Sequence, residues 1–385
     1  MTTPAEVRAL YVHLPFCRAR CGYCDFYSEL YRADAVQPLL NALSTELAGY
    51  AAQVELALET VFIGGGTPTV LPAEALQPLL HICTRAARGR PSEFTVEANP
   101  ATIDAGKAAV LVSAGVNRVS MGAQSFDPAE LSVLERTHRP EQVRETIAIC
   151  RSAGVRAVSL DLIFGIPGQS LQSWLFSLDQ AIALDPEHIS CYGLTYEPGT
   201  RLHARAQAGQ VTPVDPDLEA DMYEAAIDRL AGAGFAQYEI SNFARPGQQC
   251  RHNLTYWRNE PYLGVGPSAA GYLAGERYKN VADVAEYVRR IAAGTDPREA
   301  TERLPPEKCA GETVMLALRT VEGLSRARFA ERFRQDPLTW FAQRNGGSAI
   351  AQNVANGLLE VTPEAIRLTR RGMLVANDVM AEFLE

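Results

Sequence analysis

The sequence predicts an α/β fold: a partial TIM-type (β/α)6 barrel followed by a small C-terminal domain resembling a winged helix. Two observations predict the barrel and a third the appended domain. Between Leu10 and Tyr192, six short apolar segments alternate with helical stretches, and turn residues follow each apolar segment. That is a repeated βα unit, which builds a parallel sheet, and a single run of such units favours a barrel over an open doubly wound sheet. Glycines and polar side chains also stand at or just past the C-terminal end of most apolar segments, where parallel α/β folds assemble their ligand sites. From about Pro305 the pattern changes to short helices and a small hairpin.

Taken in order, Leu10–His13 is the first strand and delivers a cysteine-rich loop, followed by a helix over about Ala35–Ala52. Thr60–Ile63 is a strand running straight into Gly64-Gly-Gly-Thr-Pro68, and Pro72–Arg88 is a helix with Leu76, Leu79 and Leu80 on one face. Phe94–Glu97 is a strand ending on an acid, and Ile103–Ala114 a helix closed by Gly115. Arg118–Met121 is a strand ending at Gly122-Ala-Gln124, and Pro140–Ala153 a helix closed by Gly154. Ala157–Ile163 is a strand carrying Asp161, Leu171–Leu184 a helix, and Ile189–Tyr192 the sixth strand. A helix near Asp217–Ala233 and a Gly-, Asn- and aromatic-rich stretch from Tyr238 to Tyr272 follow. Arg298–Pro306 reads as a linker. The last domain is read as helices Pro306–Arg319 and Ser325–Arg332, a hairpin of Leu358–Val361 with Ile366–Leu368, and a final helix Thr369–Phe383.

The 385 residues carry a net charge of −9, with 47% hydrophobic and 21% charged residues. This is ordinary globular composition, and the acidic balance argues against a nucleic-acid surface, on the appended domain as elsewhere. No apolar run approaches a membrane span, and the first residues lack the apolar core of a secretory signal, so a cytoplasmic protein is expected. Cys83, Cys150, Cys191, Cys250 and Cys309 are scattered singly and read as free thiols.

Cys17, Cys21 and Cys24 are different: the spacing C-x3-C-x2-C brings three thiols to one side of one loop. Thiolates select iron–sulfur clusters, zinc or copper. Structural zinc takes four ligands, and no fourth Cys or His follows closely. A 4Fe-4S cluster held by three cysteines leaves one iron open to a small molecule.

The cysteine loop, with Tyr23 just before its third Cys, resembles the motif of the radical S-adenosylmethionine (SAM) superfamily, and Gly64–Pro68 is similar to that superfamily's glycine stretch. Glycines allow close backbone approach, so strand-end N–H and C=O groups there are expected to hold the amino group of SAM. The resemblance extends over almost the whole chain and is closest to the oxygen-independent coproporphyrinogen III oxidase family, in particular its haem-chaperone branch. Tyr11–Cys17, Gly64–Thr69, Val119–Phe126, Asp161–Gly168, His252–Trp257 and Gly264–Pro267 carry it. It implies SAM contacts at Tyr11, Tyr23, Gly65, Gly66, Thr67, Glu97, Gln124, Arg136, Asp161, Thr195 and Ala270. Glu97 and Asp161 suit ribose hydroxyls or the amino group, and Arg136 suits the methionine carboxylate as a charge-assisted pair.

Two departures separate the chain from the oxidase. The oxidase carries a fourth cysteine two residues after the third, where this chain has Phe26, and it has a longer segment ahead of the first strand. Both departures match the chaperone branch, as does His252-Asn253-x2-Tyr256-Trp257. An imidazole can ligate haem iron and aromatics can stack on a porphyrin; Cys250 is the next candidate ligand. The resemblance therefore implies a chaperone that binds a 4Fe-4S cluster, SAM and haem and serves an acceptor apo-haemoprotein, with peripheral membrane contact where that acceptor is membrane-bound. The rival is a decarboxylating coproporphyrinogen III oxidase. The expected division is a barrel at 1–235 with the cluster and SAM, a connecting region at 236–300 with the haem-site candidate, and a C-terminal domain at 301–385.

Overall fold

The computed structural model describes residues 6–342 and 346–384. Six parallel strands form the core: β1 (Glu6–Leu14), β2 (Glu55–Gly65), β3 (Glu93–Ala98), β4 (Arg118–Gln124), β5 (Ala157–Phe164) and β6 (His188–Gly193). They lie side by side in chain order, each parallel to the next. The expected partial (β/α)6 barrel is therefore present. The longer helices between and after these strands are α1 (Ala33–Ala51), α2 (Ala73–Ala86), α3 (Ala105–Ser113), α4 (Pro140–Ala153), α5 (Leu171–Ala183) and α6 (Pro216–Gly232).

Alternation along each strand decides what faces what. On one face of β1–β3, Leu10, Val12, Leu14, Val61, Ile63, Phe94 and Val96 are buried in one core with Leu39 and Leu43 of α1 and Leu76, Leu79 and Leu80 of α2. Each such side chain contributes about 1.5–3 kcal/mol. The helices present these residues at three- and four-residue spacing and stop where the sequence stops them. Ser170 accepts a hydrogen bond from Ser173 N at the start of α5, and Gly154 takes φ 97° at the end of α4. The opposite strand face is polar: Tyr11 and His13, Thr60, Glu93, Thr95 and Glu97, Arg118 and Ser120, Ser159 and Asp161, His188 and Ser190. A (β/α)8 barrel usually fills that interior with branched apolar layers.

The sheet continues past the six strands. Leu263–Val265 pairs parallel to β1, with Tyr11 opposite Gly264, and a short strand at Asn242–Ala244 lies beyond β6. Residues 298–302, expected in a linker, are instead a strand in a three-stranded sheet with Ala270–Leu273 and Glu276–Asn280. These strands have three to five residues, too few to show a period.

The chain divides into two compact units. The larger comprises the chain to Ala236, Phe243–His252 and Pro261–Thr301; the smaller comprises Gln237–Asn242, Asn253–Glu260 and Glu302 onward. In the smaller unit, helices Pro306–Leu318, Arg326–Phe333, Pro337–Ala342 and Gly346–Ala355 accompany a three-stranded sheet of Leu324–Ser325, Ala365–Leu368 and Leu359–Val361. Phe329, Trp340, Phe341, Ile366 and Phe383 share its core. This is a winged-helix-like arrangement. The expected last helix is two, Arg370–Leu374 and Ala376–Ala381, broken at Val375 (φ −120°, ψ 29°). No helix among the described residues is long and apolar enough to cross a membrane.

A candidate cluster and cofactor site at the C-terminal ends of the strands

The cysteine loop leaves β1 and is closed at its base by a two-stranded ladder in which Phe16 and Cys17 pair with Glu29 and Leu30. Cys17, Cys21 and Cys24 are all half-buried. Cys17 Sγ lies 3.8 Å from Thr67 Oγ1, and Arg136 Nη1 donates to Cys21 Sγ at 3.5 Å. Burial, with lesser contributions from the neighbouring thiols, pushes the Cys17 thiol up and Cys24 up to about 11. Burial thus favours the thiol form of Cys17 and Cys24, and a metal that takes thiolates must displace those protons. No group of three His, Cys, Asp or Glu among the described residues closes round a single metal ion. Thiolates are ligands of iron–sulfur clusters, and the three cysteines of this loop are the residues that would hold one.

The glycine stretch is packed beneath this loop. A Cβ on Gly64 would lie 2.8 Å from Glu97 Oε2, and one on Gly66 would lie 2.6 Å from the Phe16 carbonyl oxygen. Gly65 has φ 105° and rests on the His13 ring. The backbone N–H groups of residues 65, 66 and 67 donate to Glu97 Oε2, Leu14 O and Phe16 O at 3.1, 2.8 and 2.7 Å. Of the strand-end N–H and C=O groups expected to be open here, the N–H groups of residues 65–67 are engaged within the protein.

Past the glycines, polar side chains of β3–β6 converge. Arg136 Nη2 donates to Asn99 Oδ1 (2.8 Å) and to the Gly122 carbonyl (2.6 Å), and Asn99 Nδ2 donates to Thr67 Oγ1 (3.0 Å). Arg136 Nε is buried without a partner. Asp161 accepts from Ser190 Oγ (2.7 Å) and Ser120 Oγ (3.3 Å). Gln124 has φ 64° beside an irregularity in the β4–β5 register and reaches back over Gly122, where a Cβ would meet its Nε2 at 2.6 Å. Burial and the nearby Asp161 carboxyl push Glu97 up to about 8, and burial raises Asp161 as well. Tyr11 donates to or accepts from His13 Nδ1 at 3.0 Å, and burial and Glu97 hold its phenol protonated. Burial also raises Tyr23, which feels Arg136, Cys21, Cys24 and Asp161. A cleft of about 160 Å³ opens over Cys21, Thr67, Asn99 and Arg136.

Two expected residues stand apart. Thr195 is exposed beyond the end of β6, and the hydrogen bonds of the site do not include it. Ala270 is exposed too, but its carbonyl oxygen packs on Gly264, the residue opposite Tyr11, where a Cβ would lie 1.8 Å away.

His252 occupies a built pocket of its own. Its ring is 1% exposed, Nδ1 lies 2.9 Å from Thr60 Oγ1, and the ring stacks on Phe62 at 5.3 Å. Its backbone N–H donates to Glu93 Oε1 at 2.9 Å, beside donors from Arg251 N (3.0 Å) and Cys250 Sγ (3.4 Å). Burial pushes the imidazole down to about 3, so it is neutral, the form that binds iron, but protein surrounds it. Ligation of haem by His252 requires the ring to leave Thr60 and Phe62. Within the smaller unit, one face of Trp257 is covered by the Arg319 guanidinium at 4.6 Å.

Asn99, Ser120 and Ser190 were not expected from the sequence. The signal that finds them is period-two polarity within the strands, Arg118-x-Ser120 and His188-x-Ser190, and Asn99 two residues beyond Glu97.

Comparison with known proteins gives the family and the fold. The family description "Radical SAM superfamily" matches residues 11–181, and "HemN C-terminal domain" matches residues 304–375. The chain is 38% identical to the haem chaperone HemW of Bacillus subtilis over 98% of this chain and 99% of that one. It is 35% identical to HemW of Lactococcus lactis over 97% and 96%, and 43% identical to HemW of Escherichia coli over 68% and 69%. Coproporphyrinogen III oxidase (HemN) of Escherichia coli, a radical SAM enzyme, shares the fold with a TM-score of 0.84 at 22% identity, covering 99% of this chain and 90% of that one.

Proposed function

This chain belongs to the family of the haem chaperone HemW, within the radical SAM superfamily, and from that premise we propose that it is a haem chaperone. It binds one 4Fe-4S cluster, SAM and haem, and passes haem to an acceptor apo-haemoprotein in the cytoplasm or at the membrane surface. Full-length likeness to chaperones carries the reading. It is supported by Phe26, 65% exposed, at the position where the oxidase resemblance places a further cysteine.

In this reading Cys17, Cys21 and Cys24 would hold the 4Fe-4S cluster, which would supply an electron-rich centre to SAM. The protein's own part is recognition. Arg136, with its Nε unpartnered and no carboxylate within ion-pair distance among the described residues, receives the methionine carboxylate. Glu97 and Asp161 receive the amino group or ribose hydroxyls. Tyr11, Tyr23, Gly65, Gly66, Thr67 and Gln124 line the same site, and the exposed Thr195 and Ala270 are its outermost proposed contacts. Haem is cargo, with His252 as its axial ligand once the ring leaves its pocket.

The test is anaerobic reconstitution followed by electron paramagnetic resonance and haemin titration. The reduced protein is expected to show a 4Fe-4S signal that SAM perturbs, and alanine at Cys17, Cys21 or Cys24 is expected to abolish it. Haem is expected to bind stoichiometrically and to move to an apo-haemoprotein on mixing. Decarboxylation of coproporphyrinogen III with proportional SAM consumption would replace the chaperone reading with the enzyme. An unchanged haem spectrum in folded His252→Ala would move the ligand elsewhere, Cys250 being next.

A further inference from the structure

The cysteine loop is tied down from outside by residues that no part of the proposed chemistry uses. Past β6 the chain enters a short helix, Arg201–Gln207, whose first turn is fixed by Thr200 Oγ1 accepting from His203 N at 3.1 Å. Leu202, buried in a small cluster with Leu134, Ile163 and Leu194 against Tyr23, donates its backbone N–H to the Gly22 carbonyl at 2.8 Å. Arg201 donates to the Arg20 carbonyl at 2.6 Å and pairs with Glu135. Arg205 lies 3.8 Å from the other Glu135 oxygen.

Glu135 stands with φ 56°, directly before Arg136, whose guanidinium reaches Cys21 Sγ. A Cβ on Gly22 would lie 2.7 Å from Glu135 Oε1, so glycine between Cys21 and Cys24 makes room for that carboxylate. Two consecutive residues therefore hold the loop, Arg136 at a sulfur and Glu135 through Arg201, which bonds the loop backbone, with Arg205 steadying Glu135 from the side.

We propose that Glu135, Arg201 and Arg205 form a clasp that positions the cysteine loop for cluster retention and contributes little to global stability. This rests on the reading that Cys17, Cys21 and Cys24 hold the cluster. The Arg201 side chain is 59% exposed and that of Glu135 32%, and pairs so exposed add little to the stability of a whole fold. A loop that opens on its own, below the global unfolding threshold, feels the same pair directly.

The experiment uses the full chain in two states. In the cluster-free protein, iodoacetamide labelling of Cys17, Cys21 and Cys24 is followed by mass spectrometry, with half-buried Cys309 as internal control. In the reconstituted protein, iron loss to a chelator is timed. Arg201→Ala and Glu135→Gln are expected to raise loop labelling and iron loss about tenfold while Cys309 labelling and the melting temperature stay put. Gly22→Ala, which pushes the Glu135 carboxylate aside, is expected to do the same, and Arg201→Lys to recover part of the loss. Loop labelling at the original rate in both Arg201→Ala and Glu135→Gln overturns the clasp. So does a rise matched at Cys309 with early melting, which marks a general structural role. Loosened loop labelling in a protein that never takes up a cluster leaves the clasp standing and removes the cluster reading instead.

Discussion

Glu93 and Glu97 lie on the same face of β3, at its two ends, and differ in how completely the protein pairs them. Glu93 accepts from Cys250 Sγ, Arg251 N and His252 N and lies 3.5 Å from Arg118. Glu97 accepts from Gly65 N and is crowded electrostatically by Asp161. The two arginines divide the same way. Arg118 has Glu93 as its carboxylate, together with Ser159 Oγ and the Gln248 carbonyl. Arg136 touches a sulfur and two neutral oxygens. A buried charge without a partner is costly. Each guanidinium keeps a buried Nε without a partner, so what separates them is the carboxylate: among the described residues Arg118 has one in Glu93 and Arg136 has none. The contrast separates structural from binding charge on a single strand.

The largest expected effect is at the paired end. Glu93→Ala strips Arg118 of its carboxylate and leaves the donors of residues 250–252 unmet, at a cost of about 3–5 kcal/mol. Chemical unfolding of the cluster-free protein measures it. Glu97→Gln in the same assay is expected to lose less than about 1 kcal/mol, since no full charge pair is broken. Equal losses would dissolve the distinction between the two ends.

Arg136→Ala comes next and reads out in binding. Loss of a charged hydrogen bond to the methionine carboxylate is expected to weaken SAM by about 1.5–3 kcal/mol, measured by titration of cluster-loaded protein. An unchanged titration removes Arg136 from the site.

The pH dependence of stability sharpens the same contrast. Below about 4.5 Glu97 is protonated folded or unfolded and has no effect. Between about 4.5 and about 8 the unfolded chain releases the proton while the folded one keeps it, so stability falls as pH rises through that window. Glu97→Gln is expected to make the fall shallower, with Asp161, also raised, supplying the remainder. An unaltered slope would mean that Glu97 is ionised in the folded protein.

Most of the C-terminal end was legible in the sequence, because chemistry there is spelled locally. Three cysteines in one loop, a glycine run after a strand, Glu97 and Gln124 at strand ends, and Asp161 as the one acid within an apolar strand are each visible within a few residues. The N-terminal end was not. Glu93 meets His252, and Thr60 meets His252, across a sequence separation of more than 150 residues. His252 and its aromatic neighbours therefore read as a porphyrin site, while the structure gives His252 a pocket of protein groups. Length hid the rest: Leu263–Val265, with a glycine at its centre, shows no alternation, yet it extends the sheet beside β1.

The smallest effect is the cleanest test of the comparison. Thr60 and Thr95 are buried on neighbouring strands, and both side chains turn to the polar face. Thr60 Oγ1 holds His252 Nδ1 at 2.9 Å; Thr95 Oγ1 has no partner. Valine has the same shape as threonine without the hydroxyl, so each substitution removes hydrogen bonding with little change in packing. Thr60→Val takes from the imidazole the hydroxyl it rests on and is expected to cost about 1–2 kcal/mol. Thr95→Val removes a desolvated hydroxyl that bonds to nothing and is expected to be neutral or to stabilise the ligand-free protein by up to about 1 kcal/mol. Urea unfolding of the two variants side by side decides it. If Thr95→Val costs as much as Thr60→Val, the hydroxyl is satisfied in the ligand-free protein, and the polar interior near Glu97 is as closed as the floor near Glu93.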